Sequence, residues 1–211
     1  MALLTTRLEI AQAAAKEHYP LSIPAVEGEA LWRHVVQEKA ESTLEVGLAY
    51  GVSALYMCDA LLAVGGNEPR HLAIDPFQST HFEDAGLELL ARAGLSQMID
   101  FRPQRSELVL PVLLAEGRQF DFAFVDGNHR FDWVYVDLVF VGRLVKPGGV
   151  IFVDDYQLPA IAKAVTFFVA NRNWTLEEIS LPPTNDTTHG WAVVRTADPP
   201  DDREFTDFTD F

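Results

Sequence analysis

The 211-residue sequence has little of three features that would each have indicated a definite class of protein. It has a single cysteine, Cys58, which excludes an internal disulfide and fits a reducing cytoplasm. No apolar run reaches the roughly 18 residues needed to cross a bilayer, and residues 1–16 lack the order of a signal peptide. We therefore expect a cytoplasmic protein without a membrane partner.

Basic residues are also scarce. Lysine and arginine number 16 against 31 aspartates and glutamates, a formal net charge of −15. Binding to a nucleic-acid backbone needs clustered basic residues, so this composition argues against such a partner. Part of the acidity lies in residues 198–211, which we interpret as an acidic, mobile tail. The remainder, residues 1–197, is expected to form one domain with N-terminal helices in 1–38 and a core in 42–195.

The chain does contain a regular alternation of helical and strand patterns, and 48% of its residues are hydrophobic. Such alternation is typical of βαβ units on a parallel sheet. The last two predicted strands have no helix between them and are expected to close the sheet as an antiparallel pair. The predicted strands are 42–46, 70–74, 99–102, 120–125, 150–153, 174–179 and 191–195.

Three aspartates follow two of the most apolar of these strands. Asp126 ends the run that begins at Phe120, and Asp154 and Asp155 end the run that begins at Val150. Ligands of open parallel sheets bind outside the carboxyl ends of the strands. Carboxylates gathered there repel one another unless a cation lies between them, and Mg²⁺ prefers oxygen ligands. The alternative is that one or more of these acids only caps the following helix.

A glycine-containing turn follows the first strand, in the sequence Leu44-Glu-Val-Gly-Leu-Ala-Tyr-Gly-Val-Ser53. Glycines let a backbone pass close to a ligand, and the next helix offers free N–H groups there. The Gly-x-Gly-x-x-Gly fingerprint of NAD-binding proteins is absent, so an oxidoreductase is disfavoured. Asp75 ends the second strand, where an acid can accept hydrogen bonds from ribose. Together these features favour a nucleoside-containing cofactor.

These motifs resemble those of class I S-adenosylmethionine-dependent methyltransferases of the small metal-dependent O-methyltransferase type. The segment from Leu44 to Ala54 is similar to that of catechol O-methyltransferase. Asp126-Gly-Asn-His129 and Val153-Asp-Asp-Tyr156 resemble the enzymes that methylate macrolide and aminocoumarin sugars. The resemblance covers roughly residues 27–195. It implies a Rossmann-like α/β fold, a seven-stranded mostly parallel sheet with helices on both faces and an antiparallel last strand.

The resemblance also implies roles for individual residues. His129 would be the general base, since a neutral imidazole suits proton transfer near pH 7, although it could instead be a loop histidine that only packs. The loop at 182–189, which includes Asp186 and His189, could border the substrate pocket. The implied cofactor-binding residues are Glu45, Gly47, Gly51 and Ser53 for the methionine portion and its turn, Asp75 for ribose, Ser106 near adenine, and Asp126. The implied Mg²⁺ ligands are Asp126, Asp154 and Asp155.

The sequence thus predicts Mg²⁺-assisted methyl transfer from S-adenosylmethionine to a small-molecule hydroxyl. The acceptor would be a vicinal diol, a catechol-like compound or a natural-product sugar. Two alternatives stay open: a metal-independent methyltransferase acting on another nucleophile, and a non-catalytic protein that keeps the fold. A homo-oligomer that completes the pocket is a further open question.

Overall fold

The computed structural model describes residues 2–182 and 189–200, with side chains from residue 7 onward. Most of the predicted tail, residues 201–211, and Asp186 in the predicted pocket loop lie outside the described residues. The chain divides into two compact units between Val109 and Leu110. That residues 1–197 act as one domain stays a prediction.

Helices and strands alternate along the chain as predicted. The α-helices are α1 (Ala2–His18), α2 (Ala25–Gln37), α3 (Val52–Val64), α4 (Gln78–His81), α5 (Ala85–Arg92), α6 (Ser106–Ala115), α7 (Phe131–Leu144) and α8 (Pro159–Asn171), with a short 3-10 helix at Ser96–Met98. The strands are β1 (Ser42–Val46), β2 (Arg70–Ile74), β3 (Ile99–Arg102), β4 (Phe120–Val125), β5 (Val145–Val153), β6 (Thr175–Ser180) and β7 (Trp191–Arg195).

The strands form a seven-stranded sheet in the order β3-β2-β1-β4-β5-β7-β6. In the first unit, β2 pairs in parallel with both β1 and β3. In the second unit, β4 and β5 are parallel, and β7 runs antiparallel to both β5 and β6. The predicted Rossmann-like sheet with an antiparallel closing pair is therefore confirmed.

Apolar side chains on the strands explain the burial of the sheet. Leu44 and Leu72 are partners in the β1–β2 register, and Phe124 and Phe152 in the β4–β5 register. All four are almost completely inaccessible to solvent. Strands buried on both faces read as near-continuous apolar runs, which is why the sequence revealed them.

The bounds of two strands differ from the sequence prediction. Strand β5 begins at Val145 rather than Val150, because Val145 pairs with Phe120 before a register shift in β4. Strand β6 covers Thr175–Ser180 rather than the predicted 174–179, a displacement of one residue. Among the residues that the structure describes, no helix has both the length and the apolar character that a membrane crossing requires.

Candidate active site

The turn between β1 and α3, residues 47–51, is one candidate site, and we call it the glycine turn. Its two glycines have positive φ angles, 96° at Gly47 and 76° at Gly51. A Cβ atom on Gly51 would lie 2.7 Å from the carbonyl oxygen of Gly86. Residues with side chains are disfavoured at Gly51 both by the backbone angle and by this close approach.

Asp75, at the carboxyl end of β2, holds the glycine turn. The backbone N–H groups of Leu48 and Ala49 donate to its Oδ2 at 3.2 and 2.8 Å, and the N–H of Phe77 donates to its Oδ1 at 2.7 Å. The residue is 4% exposed. The predicted contact of Asp75 with ribose stays a prediction, and bracing of the turn is its observed role.

Gln78, which the sequence analysis did not single out, completes this bracing. Its Nε2 donates to the carbonyl oxygen of Ala49 at 2.6 Å and to Asp75 Oδ2 at 3.1 Å. Because both partners are acceptors, the amide nitrogen must be the atom that faces them. Gln78 follows a predicted strand end in an unremarkable Phe-Gln-Ser sequence, so no local signal indicated this role.

A buried polar network lies beneath the start of α3. Glu45 on β1 accepts a short hydrogen bond from the hydroxyl of Ser53 on its Oε1, and its Oε2 lies 3.0 Å from Nε2 of His71. The other ring nitrogen of His71, Nδ1, lies 2.8 Å from the hydroxyl of Thr43. Glu45 and Ser53, which were both predicted to serve the cofactor site, therefore contact each other in the structure. His71 joins them through its contact with Glu45. Ser106 is the first residue of α6, and its place near adenine stays a prediction.

A second candidate site lies at the ends of β4 and β5. Val125 and Val153 are register partners, so Asp126 and Asp154 leave two adjacent parallel strands side by side. The N–H of Asp154 donates to the carbonyl oxygen of Val125 at 3.1 Å. Asp155 has a left-handed backbone with φ of 55°.

His129 lies between two of the acids. Its Nε2 is 2.8 Å from Asp155 Oδ2 and 3.9 Å from Asp126 Oδ1. These three residues, here called the Asp126 cluster, each offer a ligand atom within 4.8 Å of the others. Gln157 donates to the remaining oxygen of Asp155, Oδ1, at 2.7 Å.

Asp154 has a different set of partners. Its Oδ1 accepts a hydrogen bond from the N–H of Asp155 at 2.5 Å, and its Oδ2 lies 3.1 Å from Nδ1 of His189. His189 was expected only to border a pocket. The structure instead gives it direct contact with one of the three predicted metal ligands, and Gly190, the next residue, donates to Gln157 at 2.6 Å.

The groups of the Asp126 cluster have shifted pKa values. The pKa of Asp126 is raised to about 8, because its carboxylate is enclosed and Asp154 is charged nearby, although 27% of the side chain is exposed. The neighbouring carboxylates of Asp126 and Asp155 favour the protonated imidazole of His129 and raise its pKa to about 10. Burial is the largest single influence on Asp155 and would raise its pKa, but the hydrogen bond and charge of His129, together with weaker contributions from its other partners, outweigh burial and the pKa is lowered.

The donor set fits a hard divalent cation. Asp126 and Asp155 contribute carboxylate oxygens, and Asp154 adds a third negative group whose charge raises the pKa of Asp126. Mg²⁺ accepts one or two protein carboxylates and completes its octahedral shell with water or substrate oxygens. Among the described residues, Cys58 is buried in α3, so no thiolate competes for softer metals at this position.

Comparison with known proteins agrees with this architecture. Residues 44–156, more than half of the chain, match the family described as "Methyltransferase domain". The matched segment includes the glycine turn, Asp75 and the three strand-end aspartates. The chain therefore belongs to the methyltransferase domain family, and the resemblance found in its motifs is confirmed.

Two curated relatives are similar to this chain in sequence over part of their length. Tricin synthase 2 of Oryza sativa subsp. japonica is 34% identical over 139 residues, which cover 64% of this chain and 44% of that protein. Caffeoyl-CoA O-methyltransferase of Populus kitakamiensis is 32% identical over 152 residues, covering 70% and 61%. The chain spans about half the length of the first curated relatives that it matches.

Solved structures show the same fold. The O-methyltransferase TomG from Streptomyces achromogenes, described as involved in tomaymycin synthesis and in complex with SAM, has a TM-score of 0.75 at 22% identity over 90% of this chain and 89% of its own. An O-methyltransferase from Bacillus cereus in complex with SAH has a TM-score of 0.72 at 18% identity over 93% and 91%. At these identities the likeness concerns the fold.

Proposed function

We propose that this protein transfers the methyl group of S-adenosylmethionine to a hydroxyl group of a small molecule, assisted by Mg²⁺ or another divalent cation. The observation that carries the proposal is the Asp126 cluster, in which two carboxylates and an imidazole converge just beyond two parallel strands. Fold alone would not support an activity, because one fold hosts many functions. The residues of the cluster supply the chemical argument.

Cofactor binding is assigned to the first unit. The glycine turn and the amino end of α3 would hold the methionine portion, with Gly47, Gly51 and Ser53 in contact and Glu45 behind them. Ribose would bind near Asp75, and adenine near Ser106. Two of the structural neighbours are described as complexes with SAM or SAH, which supports this assignment.

Metal binding is assigned to Asp126, Asp154 and Asp155. A divalent cation at such a site lowers the pKa of a coordinated hydroxyl and fixes its position. Asp126 and Asp155 would hold it in place of their contacts with His129.

His129 would accept the proton of the acceptor hydroxyl. With its pKa at about 10, it carries a proton at neutral pH while it is paired with both acids. If those acids held a cation instead, His129 would lose its acceptors and its pKa would fall toward the ordinary value of about 6.5. The imidazole would then be neutral near pH 7 and able to take up a proton.

The acceptor is proposed by class only. Tricin synthase and caffeoyl-CoA O-methyltransferase are the names of relatives at 34% and 32% identity, which favours a catechol-like acceptor over a sugar. The net charge of −15 disfavours a nucleic-acid substrate. We place the protein in the cytoplasm, with its buried Cys58 reduced.

Calorimetric titration with S-adenosylmethionine and S-adenosylhomocysteine, in Mg²⁺ and then in EDTA, tests the proposal. We expect micromolar binding of both, followed by methylation of catechols or vicinal diols that stops in EDTA. Turnover that survives EDTA would favour a metal-independent methyltransferase. Absence of binding by the folded protein would favour a non-catalytic role.

A further inference from the structure

We propose that His71 is a positioning residue for the cofactor site, acting through Glu45 on Ser53. The inference rests on the proposed function, because it assumes that the start of α3 holds the methionine portion of the cofactor. His71 lies inside β2 and belongs to none of the motifs that carry the family resemblance. Its effect on the site would be transmitted entirely through hydrogen bonds in the first unit.

The contacts form a continuous chain. Thr43 meets Nδ1 of His71 at 2.8 Å, Nε2 of His71 meets Oε2 of Glu45 at 3.0 Å, and Oε1 of Glu45 accepts the hydroxyl of Ser53. Thr43, Glu45 and His71 have no solvent exposure, and Ser53 has 6%. Water therefore has little access to substitute for any of these contacts.

The direction of these hydrogen bonds follows from the chemistry of the groups. The threonine hydroxyl can either donate to Nδ1 or accept a hydrogen bond from it. In both cases, the hydrogen bond to the Glu45 carboxylate requires a proton on Nε2 of His71. That proton is donated to Glu45 Oε2. Ser53 in turn donates its only hydroxyl proton to Oε1, so its oxygen presents lone pairs to any further partner.

Removal of the His71 donor would leave a buried carboxylate oxygen without its partner. An unsatisfied buried acceptor is costly, so the Glu45 carboxylate is expected to rotate toward another donor. That rotation moves the acceptor of the Ser53 hydroxyl and frees the Ser53 side chain to adopt other rotamers. Ser53 is the second residue of α3 and lies two positions after Gly51, so a loss of order there would reach the glycine turn.

Three substitutions separate a positioning role from a merely structural one. His71→Asn keeps a polar atom near Nδ1 but is too short to reach Glu45. His71→Gln extends an amide N–H toward the place of Nε2. Thr43→Val removes the outer hydrogen bond and leaves the contact with Glu45, so it serves as the matched control.

The measurement is calorimetric binding of S-adenosylhomocysteine to the full chain, together with urea unfolding of each variant. We expect His71→Asn to weaken binding about tenfold and His71→Gln to restore it to within about threefold of the unmodified protein. Thr43→Val should lower the free energy of unfolding but change the dissociation constant by less than about twofold. In a Ser53→Ala background, His71→Asn should have almost no further effect on binding, because the route to the cofactor is already lost.

Each contrary result has a distinct meaning. Equal weakening by His71→Asn and Thr43→Val, or the same tenfold loss in the Ser53→Ala background, would overturn the positioning role. If the unmodified protein binds S-adenosylhomocysteine and His71→Asn binds it equally well, this inference alone fails. If the unmodified protein does not bind it, the proposed function fails and this inference fails with it.

Discussion

Protons and Mg²⁺ are expected to compete for the carboxylates of the Asp126 cluster, so metal affinity should rise steeply with pH. Asp126 has a pKa of about 8, and His129, with a pKa of about 10, pairs with both acids. At pH 7 the cluster thus holds one proton on the imidazole and, for most molecules, another on Asp126. Both protons must be released before a cation can bind through Asp126 and Asp155.

The size of the effect follows from the number of protons displaced. Each proton released on binding changes the affinity about tenfold per pH unit, so two protons give up to about a hundredfold. Between pH 6.5 and 7.5 the dissociation constant for Mg²⁺ should therefore fall by more than about tenfold and up to about a hundredfold. Above about pH 8 the dependence should weaken, because Asp126 has already lost its proton.

Calorimetry in pairs of buffers with different ionisation enthalpies measures both the affinity and the protons released. His129→Asn should reduce the release by about one proton and flatten the pH dependence accordingly. Asp132→Asn is a suitable control, because Asp132 is exposed, pairs with Arg130 and lies outside the cluster. Mg²⁺ binding with no proton release and the same affinity at each pH would refute this reasoning. A lack of Mg²⁺ binding at every pH would refute the site itself.

Two further predictions concern the first unit. Gly51→Ala should lower the free energy of unfolding by about 2–4 kcal/mol, because a positive φ is combined with a 2.7 Å approach to Gly86. Gly65 has a similar φ, but a Cβ atom there would meet nothing within 4 Å, so Gly65→Ala should lower the free energy of unfolding by only about 1 kcal/mol. Equal losses for the two variants in urea unfolding would contradict the steric argument. Burial raises the pKa of Asp59 in the folded protein, so its ionisation destabilises the fold as pH rises above the ordinary value. Asp59→Asn keeps an acceptor for Trp32, and its stability relative to the unmodified protein should therefore increase as the pH rises above about 4; a constant difference would exclude this cause.

Strand ends were the part of the site that could be predicted from sequence. Asp75, Asp126 and Asp154 each follow an apolar, β-branched run, and the end of such a run marks the ligand-binding edge of a parallel sheet. The partners of these acids could not be predicted in the same way. His189 contacts Asp154 from a loop 35 positions away, and loops carry no periodicity from which such a contact follows.

His71 was missed for a related reason. One histidine in a five-residue strand has no distinctive pattern, and its partners depend on the register that sets Thr43 opposite His71. Register depends on tertiary packing and not on the strand's own residues. A partial signal was available, since Thr43 and Glu45 alternate with apolar residues and so project from the same face of β1.

The left-handed backbone at Asp155 limits which substitutions at this position leave the fold unstrained. Asparagine and glycine tolerate a φ of 55°, whereas β-branched residues do not. Both tolerated replacements are reached from an aspartate codon by a single nucleotide change, and either would remove a carboxylate of the proposed metal site without straining the chain. A copy of this protein that lacks one proposed metal ligand but keeps its fold could therefore arise in one mutational step.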